Sequence, residues 1–211
     1  MSLPRLEPEA FARRLRRVAP EALSDEAVEA LRAHYEILGE WGRGMSLIGP
    51  GTEAEALERH YGESLAVLGW IDETSPGRLV DIGSGAGFPG FVIAAVRPRL
   101  DVQLVESRQR KSAFLRAAAA RAALPCQCLN ARVSATLPLE VAKDLDFVTL
   151  RAVNLPPAAL DALLGRLGPA GAMLWWRGAG VADLPVGWAV TRQLALPGSE
   201  RRRVVEVRRT P

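Results

Sequence analysis

An acid followed by three alternate glycines, Asp81-Ile82-Gly83-Ser84-Gly85-Ala86-Gly87, stands between two apolar runs of the chain. Glycines at this spacing let the backbone approach a ligand closely and take φ values that a Cβ forbids. Leu79-Val80-Asp81 has the pattern of a buried strand, and Phe91 to Val96 that of the helix after the turn. A dinucleotide site would bring pyrophosphate to this loop, where a carboxylate repels it. Asp81 instead suits ammonium and sulfonium groups, which points to S-adenosyl-L-methionine. A second acid, Glu106, ends the next apolar run about 20 residues past Gly87, the separation at which a carboxylate meets ribose hydroxyls in a βαβ nucleotide site. Two adjacent hydroxyls are donors, and two carboxylate oxygens accept from both.

Holding these groups in place requires strands that alternate with helices. Strands are expected at 78–81, 101–106, 126–129, 145–150, 172–176, 189–195 and 204–207, with helices over 109–122 and after Pro156-Pro157. This is an α/β pattern: a doubly wound, seven-stranded, mostly parallel sheet closed by an antiparallel strand pair. Ahead of it, residues 1–75 form a helical extension to the main domain, 76–211. The extension holds a helix over 8–18, a second capped by Ser24 and running to Trp41, and a third capped by Thr52 that carries Leu57, His60, Ser64, Leu65 and Leu68. Ligands of such sheets lie outside the carboxyl ends of the strands. Asp81, Glu106, Arg132, Arg151 and Arg177 each follow a strand on that edge.

A length of 211 residues allows one α/β domain with an extension and excludes two large domains. No apolar run is long enough to span a membrane, and arginines at 13, 14, 16 and 17 replace a signal-peptide core. Cys126 and Cys128, two apart, make a poor disulfide and half a metal site, so they are expected as core thiols of a cytoplasmic protein, with no metal. The net charge is only +3, yet all of the 27 basic residues except Lys111 and Lys143 are arginine, the side chain that binds phosphate bidentately and stacks on bases. Arg201-Arg202-Arg203 with Arg208-Arg209 forms a basic patch suited to RNA, in which strand alternation puts Arg201 and Arg203 on one face and Arg202 on the other. Trp175-Trp176 is expected to pack in the sheet rather than stack on a base. His60, one of two histidines, makes either a structural hydrogen bond or a substrate contact.

Taken together, Arg59-His60, the stretch from Asp81 to Phe88-Pro89-Gly90, Arg97-Pro98, Glu106-Ser107, Lys111 with Phe114-Leu115-Arg116, Arg132-Val133, Arg151-Ala152, Arg177-Gly178 and Glu200-Arg201 resemble one family. It is the RsmG (GidB) family of 16S ribosomal RNA guanine-N7 methyltransferases, and the likeness runs over residues 30 to 207. The resemblance implies a Rossmann-like class I methyltransferase that uses S-adenosyl-L-methionine and modifies N7 of a guanine, guanine 527 of the small-subunit RNA. It implies that Gly83, Ser84, Gly85, Gly87, Phe88 and Ser107 join Asp81 and Glu106 around the cofactor. Val133 and Ser134 would flank its adenine, and Arg151 would sit where cofactor meets substrate. His60, Arg132, Arg177 and Arg201 would hold 16S RNA, free or in a 30S particle, and a monomer suffices. Guanine N7 has an in-plane lone pair, so no nucleophile, general base or other catalytic side chain is expected. Three positions depart from the family pattern: Ser46-Leu47-Ile48 for an Asn-Leu-Thr turn, Glu63 for an aspartate, and Arg177 for a lysine. Other readings of the chain are a nicotinamide-dependent oxidoreductase, which Asp81 argues against, a non-catalytic RNA-binding assembly factor, and a methyltransferase with another RNA or protein acceptor.

Overall fold

The strand that leads to the glycine loop, β1 (Gly77–Ile82), lies between β2 (Leu100–Val105) and β4 (Leu145–Arg151) in a computed structural model that describes residues 3–71, 76–180 and 183–210. The sheet is completed by β3 (Gln127–Leu129), β5 (Leu167–Arg177), β6 (Trp188–Ala195) and β7 (Arg203–Arg209), in the order β3-β2-β1-β4-β5-β7-β6. Only β7 runs against its neighbours. The order reverses between β1 and β4, so the loop after β1 opens at the switch point where such sheets bind ligands. All seven expected strands are present, including the antiparallel closing pair.

Strand alternation divides the β1 side chains between two cores. Leu79 packs with α2 (Asp25–Gly42), α4 (Gly90–Val96) and α5 (Gln109–Arg121), whereas Val80 and Ile82 pack on the other face with α6 (Pro157–Leu164). The helices before β1 belong to the first of these cores: Phe11 and Leu15 of α1 (Pro8–Val18) and Leu31 and Leu38 of α2 are fully buried in it. Ser24 caps α2 as expected, its hydroxyl accepting from the Ala27 amide at 3.2 Å, a contact of the type that contributes about 1 kcal/mol. Arg97, 3% exposed at the end of α4, donates to the carbonyls of Ile71 and Leu68 and pairs with Glu21 at 2.7 Å. It ties the extension to the sheet layer.

The third expected helix differs. Thr52 caps nothing; its hydroxyl donates to the Gly49 carbonyl at 2.7 Å. The segment forms a π-helix, Leu57–Gly62, then one α-turn, α3 (Glu63–Leu65), and a 3₁₀ turn, Leu68–Trp70. The reason lies far along the chain. Arg151 donates to the Arg59 carbonyl at 2.7 Å, the acceptor that the Glu63 amide would use in a regular α-helix; the Glu63 amide donates to the His60 carbonyl instead, which also accepts from Ser64 Oγ at 2.6 Å. Cys126 and Cys128 are half-buried at the β3 edge of the sheet rather than in the core.

Candidate active site

β1 runs one residue further than the sequence suggests, and this decides where Asp81 goes. Its side chain falls within the strand, on the α4 face, 1% exposed beneath the glycine loop. Thr149 of β4 donates to Asp81 Oδ1 at 2.6 Å, and Ser84 donates to the Asp81 carbonyl at 3.0 Å. Burial pushes the carboxyl pKa up to about 6, against the hydrogen bonds of Thr149 and Ser84 and the Gly90 amide. Gly90 lies directly on the Asp81 side chain, so that a Cβ there would overlap it. Asp81 therefore supports the loop from below and is not among the residues lining the cavity above it.

The loop itself is fastened to β2 by the Gly83 and Ser84 amides, which donate to the Val105 carbonyl at 2.8 and 3.1 Å. Gly83 has φ +70°, and a Cβ there would collide with Val153. Glu106 follows β2 and faces the loop: Oε2 accepts from the Gly85 amide at 2.9 Å and Oε1 from the Arg108 amide at 2.7 Å. Oε2 keeps a lone pair for a further donor, and the second lone pair of Oε1 meets only the Ser107 hydroxyl at a long 3.5 Å, a contact that a better donor displaces. Between these groups lies a cavity of about 480 Å³, in the range of small-molecule sites. Its wall includes Gly83, Ser84, Gly85, Phe88, Glu106, Ser107, Lys111 and Arg151, with His60 and Leu47-Ile48-Gly49 opposite.

The π-helix delivers His60 to this wall, in keeping with the frequent placement of π-turns at functional sites. Its ring stacks on Phe88, with centroids 5.1 Å apart and an interplanar angle of 28°. Thr52 has spent its one proton on Gly49, so it accepts from His60 Nε2–H at 2.9 Å, which fixes the tautomer. Burial and the positive charges of Arg151, Arg59 and Arg202 push the imidazole pKa down to about 3. At neutral pH His60 is thus an uncharged aromatic surface. A second histidine, His34 of α2, is fully buried behind the loop: Nε2 donates to the Ala86 carbonyl at 2.8 Å, and Nδ1 accepts from the Tyr61 hydroxyl at 2.7 Å.

Beyond the Arg151-Ala152-Val153-Asn154 wall lies a second cavity of about 440 Å³. Arg151, at the end of β4, touches both. It pairs with Glu63 at 2.7 Å, and Glu63 is 2% exposed. Arg202 pairs with the same carboxylate at 3.1 Å and Arg59 at 3.5 Å. Trp176 is buried and donates to the Glu63 carbonyl at 2.8 Å, whereas Trp175 is only half-buried, lines this cavity, and carries Arg177 over its ring at 4.6 Å. Both tryptophans pack in the sheet as expected, Trp176 within the first core and Trp175 against the second, and Trp175 in addition borders this cavity.

Of the expected cofactor residues, the structure gathers Gly83, Ser84, Gly85, Phe88, Glu106, Ser107 and Arg151 around one cavity, with Asp81 beneath the loop and Gly87 within it but turned towards Phe91 and His34. Val133 and Ser134 stand on the loop after β3, outside that wall, where Ser134 Oγ donates to the Thr136 carbonyl at 2.9 Å. Arg132 is exposed on the same loop. Among the expected substrate residues, His60 lines the first cavity and Arg177 the second; Arg201 is exposed in a bend and lines neither. β7 starts at Arg203, so strand alternation does not reach Arg201, and its neighbour Arg202 turns inward instead. Arg202 and Lys111, known from the sequence only as part of a basic patch and of the family pattern, stand in the walls of the two cavities, and His34 supports the loop with no prior expectation attached to it. For His34 a signal exists, because it follows Leu31 at helical spacing on the buried face of α2. Among the described residues no cluster of metal-ligating side chains occurs, and no helix is long and apolar enough to cross a membrane.

A doubly wound sheet with a glycine loop at its switch point and an acid at the end of β2 defines a Rossmann-like methyltransferase of class I. Solved structures agree on the fold. A SAM-dependent methyltransferase from Aquifex aeolicus superposes with a TM-score of 0.55 at 15% identity, covering 72% of this chain and 92% of that one. A TehB-like SAM-dependent methyltransferase from Corynebacterium glutamicum gives 0.55 at 14%, covering 85% and 100%. The particular family follows from sequence: the model described as rRNA small subunit methyltransferase G matches residues 27–184. The ribosomal RNA small subunit methyltransferase G of Paramagnetospirillum magneticum is 39% identical over 165 residues, 76% of either chain. That of Xanthomonas euvesicatoria is 33% identical over 214 residues, 97% of either chain. The chain belongs to this family.

Proposed function

We propose that the protein transfers a methyl group from S-adenosyl-L-methionine to N7 of a guanine in small-subunit ribosomal RNA, guanine 527, and does so as a monomer. The observation that carries this reading is the pair of cavities sharing the Arg151–Asn154 wall: one suits a nucleoside cofactor, the other is lined with arginine. Family membership supports the ribosomal acceptor.

The residues present fit the cofactor. Gly85 leaves open the space where a Cβ would stand 4.0 Å from Glu106 Oε2, and both Glu106 oxygens retain acceptor capacity for a ribose diol. Ser107 and the Gly83-Ser84-Gly85 backbone would bind the remainder, Phe88 and His60 would offer apolar faces, and Val133 and Ser134 would flank adenine. Asp81 and Gly87 act through the loop they support. When bound, the cofactor supplies an electrophilic methyl group on a positively charged sulfur. Guanine N7 needs no deprotonation, so the chain's own task is to orient and to exclude water, effects that contribute several kcal/mol. Arg151 is held by Glu63 and by the Arg59 carbonyl, and it presents a fixed cation at the junction of the two cavities. Neutral His60 adds no charge there. Arg132, Arg177 and Arg201 would contact RNA around the mouth.

The reading is tested by mapping 7-methylguanine in 16S RNA from cells with and without the gene. Loss of the modification at guanine 527 is expected; an unchanged map would refute the acceptor. Calorimetry with S-adenosyl-L-methionine against NAD separates the methyltransferase reading from the oxidoreductase one.

A further inference from the structure

Three guanidinium groups converge on one carboxylate at the second cavity. Arg151, Arg202 and Arg59 lie 2.7, 3.1 and 3.5 Å from buried Glu63, and exposed Glu55 reaches Arg59 at 3.9 Å, so two carboxylates answer three positive charges and only one of the two is buried among them. Burying like charges together costs free energy unless a counter-charge completes the set. Arg59 Nε, which faces Glu63 Oε1 from 3.5 Å, and Arg202 Nε are buried donors that make no hydrogen bond among the described residues, and Glu63 Oε1 is likewise without one. The unmatched charge faces a concave space of about 440 Å³, in whose wall Glu63 is the one carboxylate among the described residues. Beside it stands the half-buried ring of Trp175, with Arg177 stacked at 4.6 Å. Cations set next to an aromatic face suit a nucleotide, whose phosphate takes the guanidinium donors while its base stacks.

We propose that the second cavity binds an RNA phosphodiester adjoining the target nucleotide, with Arg59, Arg151 and Arg202 as its cations and Trp175 as a stacking face for the neighbouring base. Glu63 is the positioning residue of this site: it orients the three arginines, and with only the exposed Glu55 beside Arg59 to add to it, positive charge is left in excess for an anion. Arg151 belongs to both cavities, so a strand held here by its phosphate delivers the next base across the Arg151–Asn154 wall. The inference rests on the RNA-methylation reading for the identity of the anion. A free inorganic anion shares the chemistry and is separated below.

The test uses the full chain and a short RNA containing the target guanine, compared with the same RNA carrying one uncharged methylphosphonate linkage on either side of that guanine. Binding is followed by fluorescence anisotropy. One of the two replacements is expected to weaken binding about tenfold in the wild-type chain, the scale of a charge-assisted hydrogen-bond pair. In Arg202→Gln the same replacement is expected to cost only about threefold, because Arg59 and Arg151 remain, and the salt dependence of log K is expected to flatten by about 0.7, one single-strand phosphate contact. Arg202→Lys should recover part of the affinity, and Arg59→Gln serves as the second variant if thermal unfolding shows Arg202→Gln to be misfolded. Equal binding of native and uncharged linkages would overturn the proposal, as would an undiminished penalty in both variants. Inorganic phosphate that displaces the RNA with equal affinity would assign the cavity to a free ion and overturn it as well. Calorimetry with S-adenosyl-L-methionine on the same proteins keeps the two claims apart. Normal cofactor binding and RNA methylation without a phosphodiester penalty sinks this inference alone; a clear penalty without methylation sinks the functional reading alone.

Discussion

The two cavities on either side of the Arg151–Asn154 wall are built by different means. The first is a backbone site. Its floor is the contiguous stretch from Gly83 to Phe88, locked to β2 by main-chain hydrogen bonds and answered by one acid, Glu106. The second is a side-chain site, assembled from Arg59 and Glu63, the end of β5, and Arg202. A backbone site is limited by what a Cβ would strike; a side-chain site is limited by charge balance and tolerates changes of shape.

The largest effect expected from this contrast comes from adding one methyl group beneath the loop of the first cavity and one in the wall of the second. On Gly90 a Cβ would stand 2.7 Å from Leu104 Cδ2 and overlap the buried Asp81 side chain, with no flexible neighbour to yield. Gly90→Ala is expected to destabilise the fold by about 2–3 kcal/mol and to remove measurable cofactor binding. Gly178, in the wall of the second cavity, has nothing within 4 Å of its Cβ position. Gly178→Ala should leave both stability and cofactor affinity unchanged. Chemical denaturation and calorimetry check the pair, and equal losses would erase the distinction. Glu106→Ala comes next: it strands the Gly85 and Arg108 amides and removes the diol acceptor, so cofactor affinity should fall by about 30- to 100-fold, or 2–3 kcal/mol. RNA binding by the same variant should stay near normal, and a comparable loss there would show that the cavities are not separable.

The same contrast explains what the sequence discloses. A loop whose function depends on consecutive glycines and a spaced acid is written in one short stretch, and Ser24 marks its helix by a local hydrogen bond. Strand order follows from alternation of elements. What escapes is whatever depends on partners far along the chain. The π-helix exists because Arg151 takes the Arg59 carbonyl, and no local pattern at Thr52 announces that. Asp81 looks like a ligand contact until β1 extends by one residue and alternation turns its side chain beneath Gly90. Arg202 reaches Glu63 only because β7 begins at Arg203.

Acidity offers a gentler probe of the loop. His34 is neutral in the fold, with its pKa lowered by burial from 6.5 to about 4. The stability it contributes is complete above pH 6.5 and is lost as pH falls towards 4. Asp81 acts in the opposite sense: raised from 3.8 to about 6, it contributes stability at low pH that is lost as pH rises through 6. Between pH 7 and pH 5, His34 should cost about 2 kcal/mol and Asp81 return about 1. The acid-induced loss should therefore be about 2 kcal/mol smaller in His34→Gln than in the wild type, measured as the difference in denaturation free energy at the two pH values. Identical pH dependence in the two proteins would mean that His34 does not support the Ala86 carbonyl as a neutral donor.

The smallest expected effect separates two adjacent arginines. Arg201 is exposed in the bend before β7 and lines neither cavity, whereas Arg202 is half-buried against Glu63. An exposed cation near a polyanion acts through a screened field, so Arg201→Ala should weaken RNA binding about two- to threefold at low salt. That loss should fade at physiological salt, where the Debye length is about 8 Å. Arg202→Gln should retain its larger loss there, because its donors are directed and desolvated. Cofactor affinity should be normal in Arg201→Ala. Should Arg201→Ala equal or exceed Arg202→Gln at physiological salt, RNA would be held by the outer face of the hairpin, and charge geometry inside the second cavity would not govern its binding.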